Sequence, residues 1–246
     1  MNRQAIQKED IVWVVAPHAD DEILGCGGLL SMSQAVGART YVLYLTVSGF
    51  TPMNGGSSSN LDSRMKEVEA VAKSLNITGY DILFKGEEKH LRLDTVPLAD
   101  LVNWLERTSA FPSSQIKPTM ILLPSPKHNH QDHKAAYEAG LSLVRTNPSF
   151  EGDKLCVMAY EVPGTGQTGL PAFQPNVYFE LSQDTLERKC SLFSLYESQM
   201  SEKPKLRSLH AIRTVAQFRG LEAGYEFAEA YELLRAKFRT GGIDVR

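Results

Sequence analysis

An open α/β fold, a Rossmann-like mostly parallel sheet with helices on both faces, follows from three features of this 246-residue chain. Short apolar runs alternate four times with stretches of helical spacing, the pattern of βαβ units. The first run, IVWVVA at 11–16, is apolar at every position, as a strand covered on both faces must be. No linker, repeat or low-complexity tract interrupts the pattern, so residues 1–246 read as one domain.

After that first strand a helix is expected over 23–36, stopped by Gly37 where a left-handed C-cap falls. TYVLYLTV (40–47) is the second strand, and a polar, glycine-rich loop (48–60) follows it. The next helix covers 63–75. DILFKG (81–86) is the third strand and 93–109 the third helix, and TMILLPS (119–125) with 132–144 completes the fourth pair. Two more strands are expected in LCVMAYEV (155–162) and NVYFEL (176–181). After Ser182 the chain reads as helical, with a break near Lys203 and Pro204, which makes a C-terminal strand and helix subregion.

Charge and composition remove several functional classes. The 26 basic and 29 acidic residues give a net charge of −3. That leaves no positive excess for neutralising nucleic-acid phosphates. No apolar run reaches the roughly 18–20 residues that span a bilayer, and the polar start MNRQAIQKED lacks a signal-peptide core. Cys26, Cys156 and Cys190 are odd in number and far apart, so they read as reduced thiols in a cytoplasmic protein.

The chemistry gathers at two strand ends. The first strand runs into Pro17-His18-Ala19-Asp20-Asp21-Glu22, and the fourth into PSPKHNHQDH, which carries His128, His130, Asp132 and His133. Ligands of open α/β sheets bind at the carboxyl ends of strands, and four of the chain's six histidines lie at these two. With six histidines and eleven aspartates, chance supplies an H-x-D-D about 0.01 times, so two such motifs are a specific signal. Imidazole nitrogens and carboxylate oxygens are the donors that zinc and similar divalent ions take. The blander alternative makes Asp20 only the N-cap of the next helix and the histidines solvated.

PHADDEILGCGG resembles the signature of the PIG-L/LmbE-like zinc-dependent N-deacetylases, usually PHPDDE before a glycine-rich turn. The family's H-x-D-H stands here as His130-Gln131-Asp132-His133, and its R-x-x-E helix as Arg64 and Glu67. NVYFELS, LFSLYESQ and FRGLEAGYEFAEAYELLR are similar to its later segments, so the likeness covers nearly the whole chain. The loop 48–60 lacks the usual T-x-G-E-x-G, and GEEKHLRL (86–93) replaces the common Asp-Gly turn. Both departures concern the substrate rather than the metal.

The resemblance implies that His18, Asp21 and His133 hold one divalent ion, most simply Zn2+. Asp20 is then the general base, His130 stabilises the oxyanion as a cation, and Asp132 holds that imidazole in its tautomer. Spacing alone leaves open which of the paired aspartates coordinates and which takes a proton. The activity implied is removal of the N-acetyl group from an N-acetylglucosamine-type amino sugar or its conjugate. The partner is thus a small molecule, with homo-oligomerisation left open. The alternative is a metal-containing sugar-binding protein of the same fold without catalysis.

Arg64 reads equally as a clamp for a sugar hydroxyl or phosphate and as an i,i+3 partner of Glu67 on a solvated face. His128 reads as a solvated loop residue, and His90 and His210 as lone histidines without a role. The glycines at 25, 27 and 28 stand too far from the strand for a dinucleotide fingerprint and follow three carboxylates, so they are expected to serve close helix packing.

Overall fold

A computed structural model describes residues 5–49, 58–108, 116–144, 154–163, 172–202 and 205–238. Among these residues seven strands form one sheet, ordered β3-β2-β1-β4-β5-β7-β6. They are β1 (Ile11–His18), β2 (Arg39–Val47), β3 (Gly79–Lys85), β4 (Met120–Pro124), β5 (Lys154–Tyr160), β6 (Val177–Glu180) and β7 (Ala228–Phe238). The helices are α1 (Asp21–Val36), α2 (Leu61–Ser74), α3 (Leu98–Arg107), α4 (Gln131–Leu143), α5 (Gln183–Phe193) and α6 (Leu209–Ala223). Strands β1 to β5 are parallel, and β7 pairs antiparallel with both β5 and β6. The mostly parallel α/β sheet expected from the sequence is the one observed. No helix among the described residues is long and apolar enough to cross a membrane.

β1, apolar from Ile11 to Pro17, is fully buried because it is an interior strand, with helices against both faces. Its residues alternate between two cores. Val12, Val14 and Ala16 pack with side chains of α1, α2, α5 and α6, whereas Ile11, Trp13 and Val15 pack with those of α3 and α4. Gly37 ends α1 in the left-handed region, at φ 78°, as its position predicted. The glycines of α1 do serve packing. A Cβ at Gly25 would collide with the Tyr160 ring of β5, and one at Gly28 would meet Leu181 and Glu229.

Two expectations are corrected. The segment after Ser182 is not helical to its end: α6 stops at Gly224, φ 76°, and β7 follows. AEAYELLRAKF is made of helix formers, but slotting between two strands leaves them a strand as the way to satisfy the backbone, and tertiary context overrides a weak propensity. The helix expected over 93–109 is a single 3-10 turn, Leu93–Thr95, then α3 from Leu98. Pro97 forces the break, since proline disfavours helical backbone in the residue before it. The break near Lys203 and Pro204 lies outside the described residues, as does most of the 48–60 loop.

The sheet order reverses direction between β1 and β4, which are hydrogen-bonded neighbours. Loops leaving their carboxyl ends diverge to opposite faces and open a crevice, the place where such sheets bind ligands. Both sequence motifs sit there.

Candidate active site

His18 is the last residue of β1, and Asp20 and Asp21 turn the chain into α1. His130 caps the N-terminus of α4, and Asp132 and His133 occupy its first turn. His18 Nδ1 and His133 Nε2 stand 3.3 and 3.4 Å from the same Asp21 Oδ2. Three donor atoms, one from each residue, lie within 4.8 Å of one another, and all three residues are buried. A tetrahedral zinc site with bonds near 2.0–2.2 Å separates its ligand atoms by about 3.3–3.5 Å, so this cluster fits such an ion. Asp21 Oδ1 is buried without a hydrogen-bond partner, as a carboxylate awaiting a cation would be.

The second layer fits as well. Asp132 Oδ2 lies 2.9 Å from His18 Nε2. That holds the hydrogen on Nε2 and leaves Nδ1 for an ion, the usual arrangement of a ligating histidine. Asp132 Oδ1 accepts the Leu93 N–H at 2.9 Å, so both its oxygens are engaged. Burial alone would lower the His18 pKa, but its hydrogen bonds to Asp132 and Asp21 raise it to about 9. Burial would raise Asp21, but the charges of His133 and His18 and the His18 hydrogen bond hold it well below the usual carboxylate range. Both shifts arise from carboxylates and imidazoles held within a few ångströms of one another.

The pairing expected between Asp132 and His130 is therefore found between Asp132 and His18. His130 Nδ1 instead accepts the backbone N–H of Asp132 at 3.2 Å, which places the ring hydrogen of a neutral imidazole on Nε2. Burial and the charge on His18 push the His130 pKa down, and the positive end of α4 acts in the same sense. A neutral imidazole fits this hydrogen bond, whereas the expected cation would carry a hydrogen on Nδ1 as well.

Asp20 occupies the N-cap position of α1, yet its side chain makes no capping bond, so the simple cap reading fails. Its backbone is at φ 132°, a conformation costing on the order of 1–3 kcal/mol, kept only where surroundings impose it. Here they do. Asp20 N–H donates to Glu22 Oε2 at 3.1 Å, its carbonyl oxygen accepts from Leu24 N–H at 2.9 Å, and the Arg64 guanidinium holds the Ala19 carbonyl oxygen. Glu22 is itself fixed by the hydroxyls of Tyr196 at 2.5 Å and Tyr44 at 3.1 Å. The reward is a carboxylate delivered into the centre with both oxygens buried and unbonded. Burial raises its pKa, against the lowering pull of Arg207.

Several residues without an assigned role belong to this site. His128 is buried, not solvated: its Nδ1 lies 2.6 Å from His133 Nδ1, and its Nε2 accepts the Val162 N–H at 3.3 Å. If His133 gives Nε2 to an ion, the bridging hydrogen is its own and the long bond from Val162 is surrendered. Arg207 Nη1 stands 3.5 Å from Asp20 Oδ2. Arg64 does pair with Glu67, at 2.6 Å, but it is only 4% exposed, so the solvated-face reading is wrong. A cleft of about 260 Å³ opens beside His18, with Arg64, Arg207, Ser48, His90 and His130 on its walls. Burial, the charge on His18 and that on Arg64 bring His90 down to about 4. His210 is exposed on α6, away from this cleft's walls. Glu22 stood in the motif itself; nothing local announces Arg207, Ser48 or His90.

Fold and site together define an α/β protein with a buried histidine–aspartate centre at the switch point of its sheet. Comparison with known proteins narrows the class. The family model of PIG-L, described as GlcNAc-PI de-N-acetylase, matches residues 13–144, more than half of the 246, and the chain belongs to that family. The resemblance carried by its motifs is thereby borne out. It is similar to the uncharacterized deacetylase YaiS of Escherichia coli (strain K12), 24% identical over 193 residues, covering 76% of this chain and 90% of that one. The fold is shared with N,N'-diacetylchitobiose deacetylase from Pyrococcus horikoshii, with TM-score 0.67, 19% identity, and 92% and 84% of the two chains covered. It is also shared with GalB, the 4-carboxy-2-hydroxymuconate hydratase of Pseudomonas putida KT2440, with TM-score 0.66, 17% identity, and 92% and 96% covered. A fold that carries both chemistries does not choose between them; the site must.

Proposed function

We propose that this protein is an amide hydrolase that removes the acetyl group from an N-acetylated amino sugar of the N-acetylglucosamine type, or a conjugate of one. His18, Asp21 and His133 would hold a divalent ion, zinc being the best match to two imidazoles and a carboxylate. Such an ion supplies Lewis acidity, bringing the pKa of water from ~15.7 towards neutrality and polarising a carbonyl. The observation that carries the reading is Asp20, whose two carboxylate oxygens are buried and unbonded beside that cluster.

Asp20 would take the proton of the attacking water, and its raised pKa makes it the stronger base for that step. The amide C–N bond breaks, acetate forms, and the same proton is returned to the leaving amine. His130, neutral with its hydrogen on Nε2, would donate to the carbonyl oxygen as negative charge develops there. A single donor in that position contributes roughly 3–4 kcal/mol. Arg64, on the cleft wall and anchored to Glu67, would face the sugar. The single seven-stranded sheet supports reading the chain as one domain.

A sugar-binding protein without catalysis would have no use for a strained, unbonded carboxylate at the centre. Acetate release from a panel of N-acetylglucosamine derivatives, with metal-stripped and zinc-reloaded protein, tests the proposal. Release only by the reloaded protein is expected, with about one ion bound per chain and a clear loss of bound ion in His133→Ala. Sugar binding without acetate release by any metal-loaded form would instead establish the non-catalytic reading.

A further inference from the structure

Thr46, near the end of β2, donates its hydroxyl hydrogen to the Pro17 carbonyl oxygen at 3.1 Å. A hydroxyl has one hydrogen, so the 3.3 Å contact between Thr46 Oγ1 and His90 Nδ1 requires His90 to be the donor. That chain of two bonds fixes the neutral imidazole with its hydrogen on Nδ1 and leaves a bare lone pair on Nε2. His90 lines the cleft beside His18, and no hydrogen bond among the described residues reaches that Nε2.

The rest of the cleft is rich in donors and poor in acceptors. Arg64 and Arg207 can only donate, and His130 offers Nε2–H. Gln199 Oε1 is taken by Arg207 at 2.8 Å, and the Leu91 carbonyl oxygen by Gln131 at 2.8 Å. The Ser48 hydroxyl, 3% exposed, is buried without a partner on the same wall. Among the described residues that line the cleft, His90 Nε2 and Ser48 Oγ are the side-chain acceptors to which no hydrogen bond is made. A carboxylate or phosphate placed there would meet the His90 lone pair with lone pairs of its own, whereas a hydroxyl would donate to it.

We propose that His90 determines specificity by accepting a hydrogen bond from one hydroxyl of a polyhydroxylated substrate, with Ser48 as a second contact and Thr46 as the positioning residue that sets the tautomer. This deepens the amino-sugar reading and rests on it for the identity of the ring. The test is calorimetric binding, together with kcat/KM, for N-acetylglucosamine and its monodeoxy analogues. Wild type is compared with His90→Asn, Thr46→Val and Thr46→Ser. Asparagine reproduces the Nδ1–H and its bond to Thr46 but has no atom in place of Nε2.

One deoxy analogue is expected to bind wild type about tenfold more weakly than the parent sugar, the loss of one neutral hydrogen bond. His90→Asn should lose that discrimination, raising KM for the parent rather than lowering kcat. Thr46→Val should lose part of it, and Thr46→Ser should restore it. Equal deoxy penalties in wild type and His90→Asn, or no sugar binding at all, would overturn the proposal. A sugar bound with this discrimination but never deacetylated would break the hydrolase reading while leaving the subsite intact.

Discussion

Helix α1 is flanked by two buried carboxylates whose surroundings could hardly differ more. Glu229, reaching in from β7, is saturated: it accepts the N–H groups of Gly28 and Leu29 at 2.7 and 2.8 Å, Lys189 Nζ at 2.6 Å and the Tyr231 hydroxyl at 2.9 Å. Asp20, at the start of the same helix, has no hydrogen bond to either oxygen, and its nearest paired cation is Arg207 at 3.5 Å. A buried charge left unbonded is expensive, whereas one with a full set of partners can hold a fold in register. Both environments were built by the same chain. Glu229 is thus explained by packing alone, and Asp20 needs a ligand or a reaction to explain it.

The largest expected effect lies on the unsatisfied side. Asp20→Asn should lower kcat by a factor on the order of 10² to 10⁴, because the amide fits the space but takes no proton. Metal content should be unchanged and the melting temperature equal or higher, since a buried charge without hydrogen bonds has been removed. Loss of the metal in that variant would mean that Asp20 and Asp21 have exchanged roles.

The saturated carboxylate should behave in the opposite way. Glu229→Gln leaves Lys189 buried without its counter-ion and should destabilise folding by about 3–5 kcal/mol in urea denaturation. Adding Lys189→Met should recover much of that loss. A Glu229→Gln protein as stable as wild type would remove the contrast between the two sites.

A smaller effect is expected one layer behind the proposed metal ligands. His128→Ala deprives His133 of its imidazole partner and should weaken zinc affinity about 10- to 100-fold, as read by competition with a chelating dye. Unaltered affinity would make the 2.6 Å contact between the two rings incidental to ion binding.

The smallest effect concerns a satisfied carboxylate far from the centre. Burial would raise the Asp10 pKa, but Lys154, the Gln7 N–H and the Thr119 hydroxyl together lower it. A depressed folded-state pKa contributes stability above the unfolded value, near 3.8, and that contribution fades as pH falls through the folded value. The stability difference between wild type and Asp10→Asn should therefore be constant above about pH 5 and shrink on further acidification. A difference that grows in acid would reverse the assignment.

Up to residue 144 the helices were legible from the period of their apolar positions and β1 from its unbroken apolar run, with the break before α3 the exception. The one long miss, β7, has the composition of a helix and becomes a strand only by pairing with β5 and β6. At the site, His18, Asp20, Asp21, His130, Asp132 and His133 were visible as motifs. The reading of His128 as solvated failed because an isolated histidine carries no mark of burial. Arg64 was split between two roles because its partner Glu67 is local, whereas the Ala19 carbonyl and Ser198 that bury it are not.

By itself the sequence determined the order of elements up to residue 144, the apolar run of β1 and the types of residue carried to the ends of β1 and β4. These are local properties, written in periodicity and in short spacings. Only the tertiary structure decided that Asp132 serves His18, 114 residues away, and not the neighbouring His130. It likewise decided that Thr46 orients His90 across 44 residues and that Arg207 faces Asp20. A hydrogen-bond partner is chosen by distance and direction through space, to within tenths of an ångström, and those follow from how the strands are ordered in the sheet.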